Sequence, residues 1–295
     1  MNVLVTGATG QLGPYVVRAL AARGHELTLW AATYRGELFG CGVRHVDLTD
    51  RDALAAAFAE AAPEAVVHCA AMSSIAGAHA KPARCEAINV AATAQLAGMA
   101  AALDAPLVYI STDLVFDGEH APYSEEDAPN PLSVYGRTKL AGEAPVLASP
   151  RGLVLRLPLL VGPSLTGRPR FFDHLIAALR ASRPISLFDD EWRTPLATDV
   201  AAGAITTALD ADATGLFHLA GPDRLSRFDM GRIIADVLGA DASVIQRASR
   251  LSRTAPEPRP ADTSLRCQRW YGAFPDFRCE TFEQAVRRLS CSPPS

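Results

Sequence analysis

Lysine is almost missing from this sequence. Of 28 basic side chains in 295 residues, only Lys81 and Lys139 are lysine and the other 26 are arginine, a bias that goes with abundant Ala, Gly and Pro and points to codon composition. The six cysteines, Cys41, Cys69, Cys85, Cys267, Cys279 and Cys291, show no CxxC spacing. That argues against a zinc site or a disulfide framework and fits a reducing cytoplasm. None of the seven histidines has ligand-like spacing, so no catalytic metal is expected. No apolar run approaches the roughly 20 residues that span a bilayer. The first residues already read as a strand, without the basic and then apolar regions of a signal peptide, so the expected location is cytoplasmic. A net charge of -4 gives no general attraction to nucleic acid or to an anionic membrane. At 49% hydrophobic, a chain of this length buries a large core, as one big domain or a domain with a smaller lobe.

Against that background Lys139 needs a reason. It stands four residues after Tyr135, in Tyr135-Gly136-Arg137-Thr138-Lys139. On a helix these two positions share a face. A compact ammonium, unlike a branched guanidinium, reaches under a ribose and carries positive charge to a phenol, which would lower the phenol pKa. The spacing alone also suits a solvated helix, so the case rests on the rest of the chain.

The chain opens Met1-Asn2-Val3-Leu4-Val5-Thr6-Gly7-Ala8-Thr9-Gly10-Gln11-Leu12-Gly13, a β-branched run that breaks into three glycines and then a helical pattern to about Arg23. Gly7 permits a tight turn, Gly10 the close approach of a pyrophosphate, and Gly13 the packing of helix on strand, with the anion at the helix N-terminus. A glycine triplet is a weak signal alone; its place directly after a strand, followed by αβ alternation, strengthens it.

Strands are expected at Leu27–Trp30, Val43–Val46, Ala65–Cys69, Leu107–Ser111, Leu153–Leu157 and Leu216–Leu219. Helices are expected at Arg51–Ala62, Arg84–Leu103, Ser133–Leu147 and near Phe171–Arg180. Such alternation implies a parallel sheet covered on both faces by helices. The Arg- and Pro-rich stretch Arg247–Arg266 reads as irregular, either over the active site or as a surface excursion. At the end of a middle strand, Ser111-Thr112-Asp113 stands where open α/β sheets bind ligands. There Thr112 would hold a substrate oxygen while Tyr135 gives or takes its proton. After the second strand comes Leu29-Trp30-Ala31-Ala32-Thr33-Tyr34-Arg35, without the acid that binds the ribose of NAD. This favours NADPH, with NADH possible, and makes Arg35 the expected 2′-phosphate contact.

Gly7-x-x-Gly10-x-x-Gly13, Ser111-Thr112-Asp113-x-Val115-Phe116-Asp117-Gly118 and Pro129-Asn130-Pro131-Leu132-Ser133-Val134-Tyr135-Gly136-Arg137-Thr138-Lys139 together resemble the extended short-chain dehydrogenase/reductases. Within these, the threonine-aspartate pair and Phe116-Asp117-Gly118 are most similar to the dTDP-4-dehydrorhamnose reductases. The resemblance is densest to about residue 165; later only Pro195, Asp199 and Arg259-Pro260-x-Asp262-x-Ser264-Leu265 share it.

The resemblance implies a doubly wound, mostly parallel Rossmann sheet over residues 1–160, rejoined by about 196–220, and a smaller C-terminal substrate-binding lobe from 161–195 and 221–295. It implies Thr112, Tyr135 and Lys139 as catalytic groups. Gln11, Leu12, Ala70 and Ala71 would join the glycines at the cofactor, with Asp47-Leu48 on the adenine side and Asn89 helping to hold Lys139 through backbone and water. Asp113, Arg193 and Arg259 would face a nucleotide-sugar substrate, and a homodimer is the assembly to test. The implied reaction is reduction of a 4-keto sugar, with hydride from the nicotinamide and a proton from Tyr135.

Two departures stand out: Cys69-Ala70-Ala71 replaces Asn-Ala-Ala, and Glu191 and Arg193 replace the family's usual Gln and Gly. The second changes the residues expected to set the sugar specificity and offers Arg193 to a nucleotide diphosphate instead. A 4,6-dehydratase is disfavoured because Leu114, not an acid, follows Asp113. An epimerase with the same triad and a non-catalytic ligand-binding or regulatory relative stay open.

Overall fold

The computed structural model describes residues 1–34, 36–252 and 255–291. Its centre is an eight-stranded sheet. From one edge to the other the strands are Gly215–His218, Gly152–Leu157, Leu107–Thr112, Ala65–His68, Asn2–Thr6, Glu26–Ala31, Cys41–His45 and Gly36–Leu38. All pair in parallel except the last, which folds back on Cys41–His45 as an antiparallel edge. Val3, Leu4 and Val5 in the first strand and Val66 and Val67 beside them are fully buried. Such unbroken apolar strands are what a sheet covered on both faces requires. One apolar cluster includes Val3, Val16, Leu20, Leu155 and Ile205 and the other Leu4, Leu54, Leu96 and Val154, so neighbouring residues of one strand feed opposite faces.

The helix Gly13–Ala22 follows the first strand and packs beside Thr198–Asp210. The helix Val134–Leu147 carries Tyr135 and Lys139. Its start is fixed by Ser133, whose hydroxyl accepts from the Gly136 amide at 3.0 Å, as N-capping serines do.

One expected helix differs from its reading. Instead of one regular helix over Arg84–Leu103, the chain forms Pro82–Glu86, a π-helical turn Ala87–Ala91, and Ala92–Ala102. The widened turn contains Asn89, whose carbonyl also accepts from the Thr93 hydroxyl at 2.9 Å. Single π turns inside α-helices occur frequently at functional sites, and periodicity does not reveal them.

A third apolar cluster lies in the C-terminal part, where Phe172, Leu175, Phe228, Ile234 and Val286 pack together. Around it stand the helices Phe171–Arg180, Arg227–Leu238 and Phe282–Cys291 and the parallel pair Ile185–Phe188 with Ile245–Ala248. Arg247 and Ala248 therefore belong to a strand rather than to irregular chain. Beyond them the described residues up to Cys267 hold the short 3-10 turn Arg250–Ser252 and isolated bridges from Asp262 to Trp192 and from Leu265 to Tyr123. This stretch crosses to the strand ends: Glu257 accepts from the Val134 amide at 2.8 Å, and Thr263 donates to Asp113 at 2.5 Å.

Candidate active site

At the C-terminal ends of the parallel strands lies a cleft of about 550 Å³. Its floor is the glycine loop. Gly7 has φ +67°, and a side chain there would meet the Ala70 amide nitrogen at 2.6 Å. Gly13 lies underneath, where a Cβ would come within 2.3 Å of the Gly7 carbonyl oxygen. Only glycine fits at either place.

The strand ends around this loop are tied by a buried neutral histidine. His68 Nδ1 is 2.6 Å from the Thr6 hydroxyl and Nε2 is 3.0 Å from that of Thr93. Burial, aided by the charge of Lys139, pushes the His68 pKa down to about 3. Thr6 in turn accepts from the Ala70 amide at 3.2 Å, fixing the backbone that lines the cleft.

Thr112, Tyr135 and Lys139 all face the cleft. Lys139 is only 2% exposed, and its ammonium lies 3.9 Å from the centroid of the Tyr109 ring. Burial lowers its pKa to about 7, against the opposing field of Glu143 one turn on. Glu143 is itself fixed by Arg156 at 2.7 Å and Ser111 at 2.5 Å. The Tyr135 phenol is pushed up, first by burial; a hydrogen bond with Thr112 works against this, and Asp113 adds to it. The expectation that Lys139 draws this phenol down therefore needs correcting. Desolvation dominates at Tyr135, and the ammonium engages the Tyr109 ring.

Thr112 donates to Asp113 at 3.0 Å and accepts from the Leu114 amide at 3.2 Å. Asp113 is buried, which raises its pKa, while Arg193 at 3.4 Å and Thr263 act to hold it charged. Joined to Asp113 through Arg193 is a wall built on Glu191, 1% exposed, which meets Arg259 at 2.8 Å, Arg227 at 3.3 Å and Arg193 at 3.6 Å. Burial would raise the Glu191 pKa, but Arg193, Arg227 and Arg259 together bring it down to about 2.

Of the residues singled out from sequence, Gly7, Gly10, Gln11, Leu12, Asp47, Leu48, Ala70, Ala71, Thr112, Asp113, Tyr135, Lys139, Arg193 and Arg259 line this one cleft. Gly13 and Asn89 do not. Asn89 accepts from the Met72 amide at 2.9 Å and donates to the Thr138 hydroxyl at 3.0 Å, so it braces the helix behind Lys139 from outside the cleft. Arg35 lies outside the described residues. Arg193 is less free than a diphosphate ligand needs, because its guanidinium also donates to the Trp192 carbonyl at 2.5 Å and the Pro260 carbonyl at 3.4 Å.

Sequence reasoning missed Arg84, Arg168, Arg170 and Arg227, which also line the cleft. No local pattern marks them: Arg227 reaches Glu191 across 36 residues. Among the described residues no cluster suits a metal ion, and no helix is long and apolar enough to cross a membrane.

The model of the RmlD substrate binding domain family matches residues 1–291. A probable low-salt glycan biosynthesis reductase of Haloferax volcanii is 34% identical over 274 residues, 90% of this chain and 89% of that protein. Methionine adenosyltransferase 2 subunit beta of Rattus norvegicus is 33% identical over 294 residues, 91% of this chain and 81% of its own length. Among solved structures, a dTDP-4-dehydrorhamnose reductase of Clostridium acetobutylicum superposes with a TM-score of 0.86 at 26% identity, covering 98% of both chains. The chain belongs to the RmlD substrate-binding-domain family, and with it to the extended short-chain dehydrogenase/reductase class of oxidoreductases.

Proposed function

We propose that this protein is an NADPH-dependent reductase of a 4-keto nucleotide sugar, of the kind that dTDP-4-dehydrorhamnose represents. The observation that carries this reading is the meeting of Thr112, Tyr135 and Lys139 in the same cleft as the glycine loop, with an arginine-rich wall in that cleft. The cradle suits a dinucleotide: Gly7, Gly10 and the start of the helix at Gly13 leave backbone where a Cβ would intrude, and helix N-termini favour phosphate. Residues 1–160 with 196–220 supply this cofactor half. Residues 161–195 and those from 221 onward supply the sugar half.

NADPH, when bound, supplies the hydride. The phenol of Tyr135 gives its proton to the oxygen of the ketone as that oxygen gains charge. Thr112 holds the same oxygen by turning its hydroxyl away from Asp113. Such general acid work contributes roughly 100 to 10,000-fold. The ammonium of Lys139, carried one helical turn from Tyr135, binds the nicotinamide ribose. Asp113 and Glu191 hold Arg193 in place along the sugar wall, and Arg227 and Arg259 present positive charge to the substrate's phosphates. The cysteine pattern makes the cytoplasm the expected compartment.

The test is a panel of dTDP-, UDP- and GDP-4-keto sugars with NADPH and NADH, with product configuration read by NMR. Steady NADPH oxidation with one of them supports the reading. An epimerase would interconvert sugars without net oxidation of added NADPH. A second reading, a binding subunit without turnover, is favoured by the similarity to methionine adenosyltransferase 2 subunit beta; it predicts dinucleotide binding and no oxidation across the whole panel.

A further inference from the structure

The segment from Pro163 to Arg170 leaves the C-terminal part and crosses the cleft towards the dinucleotide half. Three ties hold it there. Tyr15 donates to the Pro163 carbonyl at 2.6 Å, Thr166 to the Thr9 carbonyl at 3.5 Å, and the Arg168 guanidinium to the Thr33 hydroxyl at 3.3 Å. The segment is braced from behind, where Ser164 accepts from the Arg168 amide and Asp173 accepts from the amides of Ser164 and Arg170, all within 3.0 Å.

Thr33 stands just past the second strand, where a dinucleotide fold recognises the adenine ribose. From Ala31 to Tyr34 there is no carboxylate. Asp47, which also lines the cleft, is turned to Thr49, accepting from its amide at 2.9 Å and its hydroxyl at 2.7 Å, with Arg84 4.0 Å away. A bare ribose would find a hydroxyl and a guanidinium at this end, and the acid that lines it, Asp47, already engaged by Thr49. A phosphate finds complementary charge and donors, and a guanidinium binds phosphate in a fork that an ammonium cannot reproduce.

We propose that Arg168, together with Thr33, selects the 2′-phosphate of the cofactor, so that the choice of NADPH over NADH is made in part by the segment that crosses from the sugar lobe. This rests on the reading of the cleft as a dinucleotide site but not on the identity of the sugar. The crossing segment thereby links cofactor binding to the position of the lobe that receives the substrate.

The test is binding, with no turnover required. NADPH and NADH are titrated by nucleotide fluorescence against wild type, Arg168→Ala, Arg168→Lys and Thr33→Ala, and thermal stabilisation by 2′,5′-ADP is compared with that by ADP. Arg168→Ala should weaken NADPH about tenfold, equivalent to about 1.4 kcal/mol, and NADH less than about twofold. It should also abolish the extra stabilisation by 2′,5′-ADP. Arg168→Lys should retain part of the preference, and higher salt should narrow the gap. An equal loss of both dinucleotides, no loss of either, or a wild-type preference for NADH overturns the proposal. Wild type that binds neither dinucleotide would instead remove the proposed function itself. Arg35→Ala, measured alongside, reports the share held by the other candidate arginine.

Discussion

The Thr112 hydroxyl donates its proton to Asp113 across 3.0 Å. While it does so it has no proton for a substrate oxygen, since a hydroxyl donates only once. In the proposed reaction, substrate binding therefore exchanges that bond. Thr112→Ser keeps the exchange and should retain most turnover. Thr112→Val removes it, and leaves the Leu114 amide without its acceptor. Turnover should fall by roughly 100-fold, in line with removal of one donor to a developing oxyanion. Steady-state kinetics of the two variants, with melting temperatures as a control, checks this; equal rates would show that Thr112 serves only to cap its own turn.

Tyr135→Phe should leave dinucleotide affinity unchanged and lower kcat by roughly 100 to 10,000-fold, because only the proposed proton donor goes. The high phenol pKa that burial gives Tyr135 makes the protonated form the resting one, which is the form that reduction needs. Wild-type rates in this variant would transfer the proton-donor role to another group.

Lys139 gives a pH prediction. Its folded-state pKa of about 7 lies below the ordinary 10.5, so between these values the unfolded chain binds more protons than the native one. Stability contributed by this group then rises with pH across that window, by at most about 1.4 kcal/mol per unit. Without cofactor, wild type should gain stability over Lys139→Met between about pH 7 and pH 10, measured by urea unfolding. A flat difference would mean that Glu143 offsets burial in full. Lys139→Arg, which keeps the charge but not the shape, should bind NADPH more weakly and turn over more slowly.

Much of the glycine-loop and Tyr135–Lys139 side of the cleft is legible in the sequence because its signals are local. Gly7, Gly10 and Gly13 lie within one turn of chain, and Tyr135 and Lys139 within one helical turn. The wall of arginines around Glu191 is not legible in this way. Glu191 gathers arginines 36 and 68 residues away, and the partner of Asp113 at Thr263 is 150 residues off; no periodicity reports such meetings. The π turn at Asn89 and the crossing of Arg168 to Thr33 escape for the same reason. Each depends on what packs against the segment and not on the segment alone.

Glu191 is the last test, because it decides whether that distant wall is built as the structure shows. Its carboxylate is 1% exposed among three arginines. Removing one member of a buried ionic cluster costs more than the cluster contributes, since charges are left uncompensated. Glu191→Gln should therefore lower stability at neutral pH by about 3 kcal/mol. The native pKa of about 2 lies below the ordinary 4.5, so the stabilisation is present above about pH 4.5 and is lost as pH falls towards 2. The difference between wild type and Glu191→Gln should stay level from neutral pH down to about 5 and shrink below it. Urea unfolding at stepped pH reads this directly. A difference that does not change on acidification would mean that Glu191 is not the ionised centre of the wall, and that Arg193, Arg227 and Arg259 are held by packing and carbonyl contacts instead.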